Sequence, residues 1–130
     1  QGKAITIFNR SEVVGRPLAV MLANDGAKIY SFDEHGPQLF EKSKTSEISI
    51  DRASALEMSD VVITGVPNKN FPKIQLSEIK SGTICLNFST VQNFEPDITE
   101  KSSMFIPRVG PVTVAMCMRN ALRLYENFHR

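Results

Sequence analysis

Short apolar runs rich in β-branched and aromatic residues alternate along this chain with segments of helical character. These runs are predicted strands, and they occupy residues 4–8, 28–32, 61–66, 83–88 and 104–106. Pro17 and Pro111 each stand where a helix is predicted to begin. Because alternating strands and helices are typical of parallel sheets, the sequence predicts an α/β fold, a doubly wound parallel sheet with helices on both faces.

The chain length allows one domain, which we expect to cover residues 1–130. With 130 residues, of which 42% are hydrophobic, the chain can bury one core but not two. Residues 34–51 are rich in Ser, Lys and Glu and are predicted to form a loop or weak helix, followed by a helical segment at 53–58. The last helix is predicted to close the domain. The chain begins with Gln1, Gly2 and Lys3, without an initiator Met, and then enters a strand, which favours an excised piece of a longer protein.

Charge and cysteine content argue against several classes of function. The 15 Lys and Arg residues nearly cancel the 14 Asp and Glu residues, and they form no basic stripe, so no nucleic acid is expected as a partner. No apolar run is long enough to cross a membrane. Cys85 and Cys117 lack the spacing of a disulfide framework or a zinc site, which indicates a reducing, cytoplasmic setting and no metal site.

The loop at residues 9–14, after the first strand, is the first candidate site. Dinucleotides bind at such strand-to-helix turns, because free N–H groups and the helix dipole attract a pyrophosphate. Arg10 and Ser11 lie in this loop and Gly15 follows it, but the usual Gly-x-Gly-x-x-Gly pattern is absent. An ordinary polar loop before a helix is the alternative interpretation.

Asp33 follows the second strand, where an acidic side chain can accept hydrogen bonds from the ribose hydroxyls of a dinucleotide. Its charge repels a 2′-phosphate, and Glu34 adds a second negative charge. This pair therefore favours NAD over NADP, although a solvated loop carboxylate would look the same in the sequence.

Small and polar residues also follow the third and fourth strands and begin the last helix. Since the carboxyl ends of parallel strands share one edge of a sheet, these residues are further candidates for contact with a dinucleotide. Each could equally end a strand or cap a helix. They are Gly65, Val66, Pro67, Asn87, Phe88, Ser89 and Thr113.

Three segments resemble characteristic regions of the methylenetetrahydrofolate dehydrogenase family. They read Asn-Arg-Ser-Glu-Val-Val-Gly-Arg-Pro at residues 9–17, Thr-Gly-Val-Pro at 64–67 and Val-Gly-Pro-Val-Thr-Val-Ala-Met at 109–116. The resemblance implies a Rossmann-like cofactor domain from which the catalytic, folate-binding domain is absent. No catalytic residue is therefore expected in this chain, which would be inactive alone. By this resemblance, Arg10 and Ser11 are expected to line the cofactor phosphates or the adenosine ribose, and Asp33 to bind the ribose hydroxyls. The other implied contacts are Gly65, Val66 and Pro67 along the ribose and nicotinamide, Asn87, Phe88 and Ser89 in a further lining segment, and Gly110, Pro111 and Thr113 near the nicotinamide and folate.

The resemblance also implies a reaction for the full-length protein. Enzymes of the family oxidise 5,10-methylenetetrahydrofolate to 5,10-methenyltetrahydrofolate in one-carbon metabolism, and they commonly form homodimers. Asn9 stands where the family has a glycine, and Asp33 and Glu34 stand where NADP-dependent members have a His-Ser type sequence. The turn at residues 107–111 is one residue shorter than usual. These departures resemble the monofunctional, NAD-dependent fungal type, so cyclohydrolase activity is not expected. The alternative is a mitochondrial type that uses NAD with magnesium and phosphate, in which Arg10 would hold the phosphate, but the two acidic residues at 33 and 34 disfavour it.

Two other functions fit the same residues. One is a non-catalytic NAD-binding or regulatory module, which would lack the upstream domain with its Tyr and Lys pair. The other is a different Rossmann-type oxidoreductase, such as an amino-acid or shikimate dehydrogenase, which should lack the Val-Gly-Pro-Val-Thr turn at residues 109–113.

Overall fold

The computed structural model describes residues 2–129, which form seven strands, three α-helices and two short 3₁₀ helices. The strands are β1 (Ala4–Phe8), β2 (Lys28–Asp33), β3 (Gly36–Glu41), β4 (Lys44–Glu47), β5 (Val61–Thr64), β6 (Ile84–Asn87) and β7 (Met104–Ile106). The helices are α1 (Gly15–Asn24), α2 (Arg52–Met58) and α3 (Gly110–Phe128), and the 3₁₀ helices are Leu76–Glu78 and Pro96–Glu100.

One sheet contains all seven strands, in the order β4-β3-β2-β1-β5-β6-β7. β1 pairs in parallel with β2 and β5, and β6 and β7 continue the parallel part. The strands that follow β1 are added first on one side of it (β2, β3, β4) and then on the other (β5, β6, β7). The carboxyl ends of β1 and β5 are therefore the switch point at which doubly wound sheets bind ligands. The predicted α/β class is confirmed, because the predicted parallel strands agree with the observed ones to within two residues.

The prediction of a loop or weak helix at residues 34–51 was wrong, because β3 and β4 form an antiparallel hairpin beside β2. Gly36 (φ +104°) begins β3 after a tight turn, and Lys42 (φ 51°) turns the chain into β4. Every residue of β4 is exposed, so this edge strand lacks the apolar alternation by which strands are recognised. The sheet is therefore mixed rather than wholly parallel.

Helices cover both faces of the sheet, as predicted. α1 packs on one face through Ala19 and Ala23, which are fully buried, whereas Val20 and Met21 of the predicted apolar stripe are exposed. Small side chains bring this helix close to the strands. α2 and the two 3₁₀ helices cover the other face, around a core that includes Leu56.

The long helix α3 does not close the domain as predicted, since none of its residues is buried. Its apolar side chains do recur at helical spacing, but residues such as Val114, Leu122 and Phe128 are exposed. Within residues 2–129, no helix combines the length and the apolar character needed to cross a membrane.

Candidate functional site: a cleft at the switch point of the sheet

A cleft of about 730 Å³ opens at the carboxyl ends of β1, β2 and β5. The register places Phe8 of β1 opposite Phe32 of β2 and Thr64 of β5, so the loops after these strands converge. Most of the predicted cofactor residues line the cleft, namely Arg10, Ser11, Asp33, Glu34, Gly65, Val66 and Pro67. The others, Gly15, Asn87, Phe88, Ser89 and Thr113, lie outside its lining.

The loop at residues 9–14 is held by its own side chains. Ser11 Oγ accepts the backbone N–H groups at positions 14 and 15 (3.1 and 3.4 Å), and Asn9 Oδ1 accepts the N–H of Ser11 (2.9 Å). Among residues 2–129, the N–H groups at positions 12 and 13 find no hydrogen-bond partner. They lie directly before α1, where the helix dipole favours an anion.

Gly15 and Asn9 shape this corner of the cleft. A Cβ atom on Gly15 would overlap the backbone carbonyl of Asn9, so α1 can approach the end of β1 only with a glycine there. The third glycine of the usual dinucleotide fingerprint has the same packing role. Asn9 Nδ2 in turn donates to the carbonyl oxygen of Gly65 (2.8 Å), which joins the two loops across the switch point.

Asp33 ends β2 with one carboxylate oxygen engaged and one free. Oδ1 accepts hydrogen bonds from Arg10 Nη1 (2.9 Å) and from the backbone N–H of His35 (2.8 Å). Oδ2 accepts no hydrogen bond within residues 2–129, and Nδ1 of the exposed His35 imidazole lies 3.6 Å from it. A free carboxylate oxygen at this place suits a ribose hydroxyl, which is a donor.

Arg10 is bound by the protein on nearly all of its donor positions. Its side chain is only 9% exposed. Besides the contact with Asp33, Nε donates to Ser31 Oγ (3.1 Å), and Nη2 donates to the carbonyl oxygens of Ser31 and Gly36 (2.6 Å each). Of the five N–H donors of a guanidinium, four are thereby used.

The loop that carries Val66 is held by hydrogen bonds with Ser89 and Asn93, which lie in the loop after β6. Asn93, which is fully buried, accepts the backbone N–H of Val66 at Oδ1 and donates to its carbonyl from Nδ2, at 3.0 Å each. Ser89 Oγ donates to the same carbonyl (3.0 Å). Ser89 thus fixes the cleft wall instead of facing the cleft. Sequence reasoning missed Asn93, because no periodic pattern distinguishes a buried asparagine within a loop.

Asn87 has a similar internal role. Its buried Nδ2 donates to the carbonyl oxygens at positions 89, 91 and 107 (3.1, 3.2 and 3.1 Å), and its Oδ1 accepts the hydroxyl of Thr64 (3.0 Å). The side chain ties the loop after β6 to the segment before α3. Thr113, at the start of that helix, donates its hydroxyl to the carbonyl of Val109 (3.1 Å) within the same turn.

A cluster of aromatic side chains, which sequence reasoning also missed, lines the same cleft as Asp33. Phe8 and Phe32 stack with ring centroids 5.2 Å apart, and Phe71 meets Phe8 edge-on at 5.6 Å. The Arg52 guanidinium lies over Phe8 and Phe71 and is held by Glu78 through two hydrogen bonds (3.0 and 2.9 Å). Phe8 is buried, so Phe32 and Phe71, which are only partly buried, are the rings that a bound base could contact.

Other reactive groups lie away from the cleft. Cys85 is buried in the sheet, and this burial raises the pKa of its thiol to about 12. Cys117 is exposed on α3. Over the described part of the chain, no group of three or more His, Cys, Asp or Glu side chains is arranged to hold a metal ion.

Comparison with known proteins identifies the family. The family model of the tetrahydrofolate dehydrogenase/cyclohydrolase NAD(P)-binding domain matches residues 1–129. The chain belongs to this family. This NAD(P)-binding domain is 47% identical over 133 residues to the NAD⁺ methylenetetrahydrofolate dehydrogenase of Dictyostelium discoideum, and 44% identical over 138 residues to that of Saccharomyces cerevisiae. The resemblance found in the sequence motifs is therefore confirmed.

These matches extend over nearly all of the chain but over less than half of each relative. They cover 98% and 97% of the NAD(P)-binding domain and 42% and 43% of the Dictyostelium and yeast proteins. The solved yeast NAD-dependent enzyme superimposes with a TM-score of 0.88 at 41% identity, over 98% of this chain and 44% of that one. A bifunctional enzyme from Campylobacter jejuni, at 24% identity and a TM-score of 0.71, shares the fold.

Proposed function

We propose that this chain binds NAD and is the cofactor domain of a methylenetetrahydrofolate dehydrogenase. The observation that carries the proposal is the free Oδ2 of Asp33 in the cleft at the switch point. It can accept a ribose hydroxyl, whereas a 2′-phosphate would meet its negative charge and that of Glu34. The similar proteins of Dictyostelium and the two yeasts are named as NAD⁺ enzymes of this activity, which supports the choice of cofactor.

Residues on each side of the cleft fit parts of a dinucleotide. The free N–H groups at positions 12 and 13, which directly follow the cleft residue Ser11, suit the pyrophosphate, and the partly buried rings of Phe32 and Phe71 suit the adenine. The loop at residues 65–67, braced by Asn93, suits the nicotinamide half. Bound NAD supplies an electron-poor ring that accepts a hydride.

The full-length protein is proposed to convert 5,10-methylenetetrahydrofolate to 5,10-methenyltetrahydrofolate, with transfer of one hydride from the methylene carbon to NAD. The chain spans less than half of the relatives, so the folate site is assigned to the remainder of the protein. The present domain contributes binding and orientation of the cofactor. We also propose a cytoplasmic location, in keeping with two free cysteines, and a homodimer without cyclohydrolase activity.

Replacement of Asp33 by serine in the full-length protein tests the cofactor assignment. The Kd for NAD should rise about tenfold, because a hydrogen bond to a charged group is lost, and binding of NADP should improve relative to NAD. Asp97→Ser, which changes an exposed carboxylate far from the cleft, is the matched control. An unchanged preference would refute the assignment. NAD binding without oxidation of methylenetetrahydrofolate would favour the non-catalytic module.

A further inference from the structure

Arg10 lines the cleft, yet its guanidinium faces the protein more than the cleft. We propose that Arg10 is a positioning residue that aims the carboxylate of Asp33 at the cofactor ribose, and that it does not bind the cofactor phosphates. The proposal rests on the NAD binding proposed above and adds a determinant of its specificity.

The bonds of Arg10 argue against a phosphate ligand. Its charge is already paired with Asp33 at 2.9 Å, and its side chain is 9% exposed. To reach a phosphate, the guanidinium would have to leave the carbonyl oxygens of Ser31 and Gly36, both held at 2.6 Å. Because charge-assisted bonds to a buried arginine are strong, this exchange brings little gain.

The hydrogen bonds of Arg10 hold both the backbone near Asp33 and the carboxylate of Asp33. Ser31 lies two residues before Asp33 on β2, and Gly36 lies opposite Asp33 in the β2–β3 register. Arg10 therefore holds the backbone on both sides of Asp33 and also one oxygen of its carboxylate. With the N–H of His35 on the same oxygen, Oδ1 is held in place and Oδ2 is left for a ligand. A planar guanidinium can form this fork, and a lysine ammonium cannot.

This arrangement has a consequence for the choice between NAD and NADP. The positive charge of Arg10 is paired with Asp33, whereas Glu34 has no ion-pair partner among the described residues. A 2′-phosphate would thus meet the unpaired negative charge of Glu34, next to an arginine that is already bound to Asp33. Arg10 and Asp33 act as one unit in excluding the phosphate.

Two ligands separate the two roles of Arg10 in the full-length protein. ADP carries the diphosphate and the 2′- and 3′-hydroxyls of the ribose, whereas 2′,3′-dideoxy-ADP carries the same diphosphate but lacks both hydroxyls. Arg10→Met should raise the Kd for ADP about tenfold and leave that for 2′,3′-dideoxy-ADP unchanged. An equal loss for both ligands would indicate a phosphate contact and would overturn the proposal.

A double-mutant cycle tests the coupling to Asp33. In an Asp33→Asn background, Arg10→Met should weaken NAD binding by less than twofold, although alone it should weaken it about tenfold. The KM for NAD should rise in the single variant with little change in kcat. A tenfold loss in both backgrounds would instead indicate a role independent of Asp33 and would also overturn the proposal.

Two further variants guard against a folding defect. Arg10→Lys retains the charge but not the fork, so it should show the same ligand pattern with a smaller loss, and it decides the question if Arg10→Met does not fold. Arg123→Met removes an exposed arginine on α3, outside the lining of the cleft, and it should change neither Kd. If the unmodified protein binds neither ADP nor NAD, the proposed function itself fails; if it binds both and the ligand pattern is absent, only the role of Arg10 fails.

Discussion

Replacement of Gly65 by alanine is predicted to lower the stability of the domain by about 1–2 kcal/mol, through one side chain, Phe88. A Cβ atom on Gly65 would lie inside the ring of Phe88, with even the third-nearest ring atom only 2.7 Å away. The ring is partly buried against the core between the sheet and α1, and it has to move to admit a methyl group. Forcing a methyl group into packed core costs about 1–3 kcal/mol.

A second effect opposes this cost. Gly65 does not have a positive φ, so alanine fits its backbone and lowers the entropy of the unfolded chain, a gain of about 0.4–1 kcal/mol. Mid-range values of about 2 kcal/mol for the cost and about 0.7 kcal/mol for the gain leave a net loss of about 1–2 kcal/mol, which corresponds to a fall in Tm of roughly 3–10 °C for a domain of this size. Thermal unfolding followed by circular dichroism measures it directly.

Phe88→Leu provides the partner for a double-mutant cycle. In that background the space beside Gly65 is less filled, so Gly65→Ala should cost less than about 0.5 kcal/mol. Gly110→Ala is the matched control, because no atom lies within 4 Å of the added Cβ, and its Tm should not fall. Equal losses of stability in the presence and absence of the Phe88 ring would refute the reasoning.

Two further predictions concern titratable groups. Hydrogen bonds from Lys80 and from the backbone N–H of Ala4 lower the pKa of Asp60 in the folded protein. The ionised carboxylate therefore stabilises the fold at pH values above its unfolded pKa of about 3.9. This stabilisation is lost as the pH falls through the lower pKa of the folded state. Asp60→Asn should therefore lower the Tm at pH 7 and have progressively less effect as the pH falls below 4; an equal difference at pH 7 and pH 2 would contradict this. At pH 8, iodoacetamide should label the exposed Cys117. It should not label Cys85 before urea unfolds the protein, because burial raises the pKa of that thiol to about 12. Mass spectrometry of the peptides would contradict this if it showed Cys85 labelled in the folded protein.

Much of the fold could be predicted because parallel strands that are covered on both faces appear as continuous apolar runs. β1 has this character, and its bounds were predicted as observed. The hairpin of β3 and β4 could not be predicted in this way, since an exposed edge strand has no buried face to mark it. For α1, the apolar residues Val20 and Met21 were misleading, because close packing on the sheet selects alanine at the buried positions.

The candidate site also contains residues that the sequence could predict and residues that it could not. The position of Asp33 after a strand was enough to place a carboxylate at the ligand-binding edge, since the ends of parallel strands meet there whatever the other residues are. The partners of that carboxylate could not be read in the same way. Arg52 and Phe71 are far apart in the sequence from Phe8, and they meet it only because α2 and the loop after β5 pack on the same face of the sheet.

The sequence by itself therefore determined the order of the parallel strands and the α-helices, the family and the acidic residue after β2. These follow from local patterns of burial and from short motifs. Only the tertiary structure decided that Arg10 faces Ser31 and Gly36, and that Asn93 braces Val66. The physical reason is that a polar side chain bonds to whichever donors and acceptors the fold brings within about 3 Å, and that choice depends on the whole chain.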